Sequence, residues 1–424
     1  MPSLIPLSFP AELADSLGLD LREGFRLVHF AVEVSASGDF YVLSGFWQGE
    51  RHEDCRGLLT RYDGDGQPLA AAVFGPEGAS DSRIPDVPES VCVLPDGAVA
   101  LSGGMNRTYL VDRDLTRVMG TWPGTTGTGL FGLQNMDWEK HYATSFARAL
   151  QATPSGRLMC VLAEYGARAL GRFSTNLVGL ADGRLTPGSR PDITLVASLD
   201  PEPSHQDASH GIPYTVHNGA AGGFGNRPAP GLPELTRRRW PELDWSTHPR
   251  FGRPIVVTDD RFLVPVFDPY ERRWSPFVFA LVDRTGALAG RLEGLDFNER
   301  SPYVGKKYAV VADPARGRVF HTSGHGLHVW DSDGRLLTTL PTSEKRYKPL
   351  HRLGLWGCSP TGELLLRHQE HNLLVRIPVP GDPAELGPAV ESVLPTLTRE
   401  RNRLKKAHAP IGWTWTNDLE PASF

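Results

Sequence analysis

The chain has 424 residues, 40% hydrophobic and 22% charged, a balance that packs a core and excludes an extensively disordered protein. A formal net charge of -5 supplies no overall attraction to nucleic acid or to an anionic membrane, and no run of about 18 apolar residues could span a bilayer. The four cysteines, Cys55, Cys92, Cys160 and Cys358, lack any Cys-x-x-Cys spacing, which predicts free thiols in a reducing, cytoplasmic compartment rather than a zinc site or a disulfide framework.

Taken in chain order, one unit recurs: an apolar run, a tight turn, a second run, a gap, then two more runs joined by another turn. The first turn reads Ser35-Ala36-Ser37-Gly38, Leu94-Pro95-Asp96-Gly97, Thr153-Pro154-Ser155-Gly156, Thr258-Asp259-Asp260-Arg261, Asp313-Pro314-Ala315-Arg316-Gly317 and Ser359-Pro360-Thr361-Gly362. In most of these Pro presets φ near the start and Gly supplies positive φ at the end, so they predict hairpins. The second turn carries Asp and Gly, as in Tyr62-Asp63-Gly64-Asp65-Gly66 and Asp331-Ser332-Asp333-Gly334. Four strands per unit and six units predict an all-β, six-bladed β-propeller. An N-terminal arm is expected over residues 1–24 and the propeller over 25–395. Residues 200–252 form a loop insertion, and 396–424 a basic tail in which Trp413-Thr414-Trp415-Thr416 could add a closing strand.

The unit headed by Pro88-Glu89-Ser90-Val91-Cys92-Val93-Leu94-Pro95-Asp96-Gly97 resembles blades of the NHL-repeat and gluconolactonase-like propellers, and the unit with Trp330-Asp331 is similar to a WD40 blade. The gluconolactonase-like resemblance implies a divalent metal at the channel mouth, polarising a carbonyl or activating water. Glu89, Asn135 and Asn218 would be its candidate ligands, with Glu33 further along an inner strand.

In an up-and-down blade the first and third turns lie on one side of the disc and all other connections on the opposite side. The former are short here and the latter long, so one loop-bearing side is expected to do the binding. Its candidate ligand-binding residues are Trp138, His141, His217 and Asn218, together with Arg272, Arg273, Trp274, Lys306 and Lys307, since aromatic residues and Arg are enriched where surfaces bind partners. His205, His210, His368 and His371 are candidate metal ligands by residue type, without a recognised spacing. Three functions remain open at this point. One is a binding propeller for a protein or an anionic small molecule, another a metal-dependent hydrolase or lyase, and the third a scaffold subunit of a larger complex.

Overall fold

The computed structural model describes residues 4–21, 25–48, 56–74, 90–94, 96–103, 107–123, 144–155, 158–165, 177–181, 193–198, 216–217, 220–221, 250–251, 255–267, 278–283, 288–294, 309–323, 325–368 and 373–408. Strand β1 (Leu4–Pro6) and helix α1 (Ala11–Ser16) come first. The first blade is β2 (Phe25–Val34), β3 (Phe40–Gln48), β4 (Arg56–Tyr62) and β5 (Pro68–Phe74). The second is β6 (Ser90–Val93), β7 (Val99–Gly103), β8 (Arg107–Val111) and β9 (Val118–Pro123). The third is β10 (Thr144–Ala152), β11 (Leu158–Tyr165), β12 (Leu177–Ala181) and β13 (Ile193–Ser198), after which β14 (Val216–His217) and β15 (Ala220–Ala221) pair alone. The next sheet holds β16 (Arg250–Phe251), β17 (Ile255–Thr258), β18 (Arg261–Phe267), β19 (Val278–Asp283) and β20 (Leu288–Arg291). A blade of β21 (Ala309–Asp313), β22 (Arg318–Ser323), β23 (Gly326–Asp331) and β24 (Leu336–Pro341) follows. The last blade is β25 (Leu353–Cys358), β26 (Glu363–His368) and β27 (Leu373–Pro378), with β1 as its fourth strand, and helix α2 (Leu386–His408) comes after it.

The protein is thus an all-β β-propeller. Its first strands follow one another around a circle: β2 neighbours β6, β6 neighbours β10, then come β17, β21 and β25, and β25 returns to β2. Five sheets are regular four-stranded blades, against the six expected from the turn spacing. The difference falls at the Thr258–Arg261 unit. There β16 pairs with Val266 and Phe267, β17 pairs with the other end of β18, and the sheet has five strands. Pro254, which has no N–H to give a ladder, stands between the two pieces.

Period-two alternation distributes the core between blades. On β3, Phe40 and Val42 point to one side and pack with Leu365 and Leu374 of the last blade, while Tyr41 and Leu43 point to the other and pack with Val91, Val99 and Leu101 of the second. Because both faces of β3 meet another blade, its residues from Phe40 to Trp47 are all buried, whereas the outer strand β5 is largely half-exposed. Leu263 and Phe279 of the five-stranded sheet pack with Val319 and Trp330 of the next blade in the layer between the two.

The turns close as their chemistry demands. Asp63, Asp112 and Asp331 each accept backbone N–H groups two to five residues on, and the Ser35 and Ser359 hydroxyls accept from the N–H of Asp39 and Glu363. Gly66 adopts φ +84°, and a Cβ there would collide with Ile5 Cγ2.

The ring is joined by residues 4–6, from the segment read as an N-terminal arm. Leu4, Ile5 and Pro6 pair antiparallel with Val375, Leu374 and Leu373, and Ile5 is completely buried between the first and last blades. Helix α2 crosses the boundary drawn at residue 395. Its Leu386, Val390, Val393, Leu394 and Leu397 recur at helical spacing and are buried against the last two blades. The Trp413–Thr416 segment lies outside the described residues. Among the described residues no helix is long and apolar enough to cross a membrane, and Cys92 and Cys358 are free thiols.

Ile5→Ala should therefore lower stability by about 3 kcal/mol, the range for emptying a fully buried aliphatic site. Leu69→Ala, at a side chain 52% exposed on β5, should change it by less than about 0.5 kcal/mol. Urea unfolding of the two variants checks this difference, and equal losses would contradict it.

Candidate functional site

On the short-turn side, charged groups are taken up in ties between and within blades. Arg61 of β4 donates to Asp39 at 2.7 Å and to Asp114 of the second blade at 2.8 Å, and the Tyr41 hydroxyl donates to the Arg113 carbonyl. The Ser155 hydroxyl donates to Asp259 at 2.6 Å. Arg318 donates to the carbonyls of Pro380 and Gly381. Arg376 pairs with Glu363 at 2.5 Å and also donates to the Gly64 carbonyl across the joint of the ring. These contacts hold neighbouring turns in register.

Most of the residues expected at a binding site lie outside the described residues. These are Trp138, His141, Asn218, Arg272, Arg273, Trp274, Lys306 and Lys307, and among the candidate metal ligands His205, His210 and His371. Of the other two, His217 belongs to the two-stranded pair of β14 and β15. His368 ends β26 opposite Leu353 and is buried.

Histidines from β22 and β23 come together instead. His321 and His328 are register partners with ring centroids 6.1 Å apart, and His321 lies 5.6 Å from the Phe279 ring and 6.4 Å from Trp330. The Nδ1 of His328 and the hydroxyl of Thr339 share a hydrogen bond of 3.2 Å. Burial first, and the neighbouring His328 second, push His321 down to about 3, and burial followed by His325 pushes His328 down to about 4. Both are neutral rings in an aromatic layer at ordinary pH.

Glu33, on inner strand β2, is desolvated, and its carboxyl is pushed up to about 8. Burial raises the Cys92 thiol on β6 as well, and Glu33 adds to that rise. Among the described residues no three His, Cys, Asp or Glu side chains gather as a metal site would require. Glu89, Asn135 and Asn218 lie outside them. Of the ligands that the gluconolactonase-like resemblance implies, Glu33 on β2 is the one that lies among the described residues.

The seam between the last and first blades holds a different group. The Arg367 guanidinium on β26 lies 5.7 Å from the ring centroid of Trp356 on β25, and its Nη1 donates to the His29 carbonyl on β2 at 3.0 Å. The His29 ring lies 5.7 Å from Trp356, and its Nδ1 bonds the Ser44 hydroxyl at 2.6 Å. Burial pulls Arg367 down to about 10, and no other charged group among the described residues contributes. Its Nε is buried without a hydrogen-bond partner. Gly354 is the register partner of Arg367, and a Cβ added there would meet nothing within 4 Å, so open space adjoins the pair. The sequence reading passed over this group. Its signals were an arginine ending the apolar run Leu364-Leu365-Leu366 on a central strand, and a Gly-x-Trp step at Gly354 to Trp356.

Among solved structures, the chain is similar in fold to U3-55K, with 10% identity, a TM-score of 0.40, and coverage of 84% of this chain and 98% of that one. It is also similar to the Cps50 (Swd1) β-propeller domain of Myceliophteria thermophila, with 11% identity, a TM-score of 0.37, and coverage of 83% and 96%. The WD40 β-propeller domain of Doa1 stands at 12% identity, a TM-score of 0.36, and coverage of 83% and 96%. At these values the likeness bears on neither family nor function. No protein family model and no curated protein matches the chain. The unit from Ser90 to Pro123 is a four-stranded blade, β6 to β9, a form that propeller blades share at large and that does not single out the NHL-repeat or gluconolactonase-like kind.

The neutral histidine pair makes an acid-sensitive layer. Its folded pKa values lie below the ordinary 6.5, so stability is full above pH 6.5 and falls as acid protonates the unfolded chain preferentially. Between pH 7 and 4.5 each histidine should contribute a loss of roughly 2 kcal/mol. His321→Phe should remove about half of the histidine part of that loss in urea midpoints. An unchanged pH dependence would contradict the assignment.

Proposed function

We propose that the protein is a non-enzymatic binding propeller, a rigid ring that presents its loop-bearing side to a protein partner, or to an anionic ligand, through aromatic and basic residues. On this reading Trp138, His141, His217, Asn218, Arg272, Arg273, Trp274, Lys306 and Lys307 furnish the contact surface. The five-stranded sheet fills the sixth position of the ring, residues 200–252 are a loop insertion, and residues 396–424 are a basic tail.

The observation that carries the reading is the contrast between the two sides of the disc. On the short-turn side Arg61, Arg318 and Arg376 are all engaged with neighbouring turns, which leaves that side a fastening layer. The connections that carry the candidate aromatic and basic residues belong, by strand order, to the other side. A ring of interlocked blades is also the kind of rigid support on which long loops hold a partner at low entropic cost.

Alanine at Trp138, Arg273 and Lys306 together should weaken partner capture by tenfold or more while leaving the melting temperature within about 2 °C of the unaltered protein. Affinity capture followed by mass spectrometry, with a thermal melt on the same preparation, checks both parts. Undiminished capture by the triple variant would refute this surface.

A further inference from the structure

We propose that the seam between the first and last blades binds a single carboxylate group through Arg367. The inference concerns a place other than the loop-bearing surface and does not depend on partner capture there.

A guanidinium stays charged at every ordinary pH, so burying it demands compensation. Among the described residues, half-buried Arg61 has it in Asp39, and buried Arg376 in Glu363. Arg367 has five N–H donors and one hydrogen bond, to the His29 carbonyl, plus the face of Trp356. No carboxylate among the described residues pairs with it.

The bond it does make selects the ligand. Nη1 is taken by His29 and Nε is closed to solvent, so a ligand meets the edge formed by Nε and Nη2 once the guanidinium turns toward the space beside Gly354. Two parallel N–H groups on that edge match the two oxygens of one carboxylate in a side-on, bidentate pair. A single guanidinium balances one negative charge. A phosphate dianion would ask for a second cation, and no other charge among the described residues bears on Arg367.

Room for the ligand comes from Gly354, the register partner of Arg367, where open space stands in place of a side chain. Its backbone does not adopt the left-handed conformations that require glycine, so that residue is not there for the sake of its φ. Trp356, two residues on, supplies the flat wall against which the guanidinium is held. A carboxylate seated here would touch the last blade through Arg367 and Gly354, at the joint where Arg367 reaches His29 of the first blade.

The test is a thermal melt of the full chain with sodium succinate, against sodium chloride and sodium phosphate at equal ionic strength. A second arm uses acetylated, amidated Gly-Glu-Gly and its Gly-Gln-Gly counterpart. Succinate should raise the melting temperature by about 2 °C over chloride at saturation, because a ligand that binds only the folded state stabilises it. A response to the Glu peptide alone assigns the group to a protein side chain, and a response to succinate assigns it to a free acid; either supports the site. Arg367→Met removes the charge while keeping the stem, and should abolish the rise. Gly354→Val fills the space with the arginine in place and should abolish it too, which covers the case in which the first variant does not fold. A rise that persists in both variants, a larger rise with phosphate, or no rise with any carboxylate would overturn the assignment.

Discussion

The pairing of β1 with β27 is the constraint on which the rest of the ring depends. A propeller whose last blade lacks its outer strand leaves an open edge of unpaired N–H and C=O groups. Here three residues from the start of the chain seal that edge, and Ile5 drops between the first and last blades. The effect is to join distant parts of the chain, so that Arg376 of β27 reaches the Gly64 carbonyl in the first blade and Arg367 of β26 reaches His29. Loosening β1 would disturb the core layer and, through it, the seam where the buried guanidinium lies.

A second principle is the distribution of charge. The short turns are held by Asp and Ser acceptors within each hairpin and by arginines between hairpins, with nearly every contact recorded there serving geometry. Inside the layers, burial raises the pKa of Glu33 and lowers those of His321 and His328, which favours the neutral form of each. Arg367 cannot follow that route, because its charge persists even after burial lowers its pKa. Among the described residues it is a buried charge without a charged partner.

Hairpin chemistry was the part of the fold most legible in the sequence, because Pro, Gly, Asp and Ser act on their own backbone and need no tertiary context. Asp63, Asp331 and Ser359 make the bonds that their positions imply. The regular blade count was less legible. In one sheet β16 and β17 pair with opposite ends of β18, and a turn count does not register a strand position divided between two short pieces. Helix α2 was hidden by Pro395 and by the basic run after it, although Leu386, Val390, Val393, Leu394 and Leu397 keep helical spacing. The Arg367 group was hidden for a different reason. Its members, His29, Gly354, Trp356 and Arg367, come from opposite ends of the chain and meet only once the ring is closed.

Ring closure by the N-terminal strand is tested most directly by paired cysteines. Val375→Cys combined with Leu4→Cys places two thiols opposite each other in the β1–β27 register, within reach of a disulfide. Val375→Cys combined with Trp415→Cys offers the alternating C-terminal segment as the competing partner. Under mild oxidation, peptide mapping should find the bond between positions 4 and 375, with the native circular dichroism spectrum retained. A bond that forms with position 415 and not with position 4 would contradict the account.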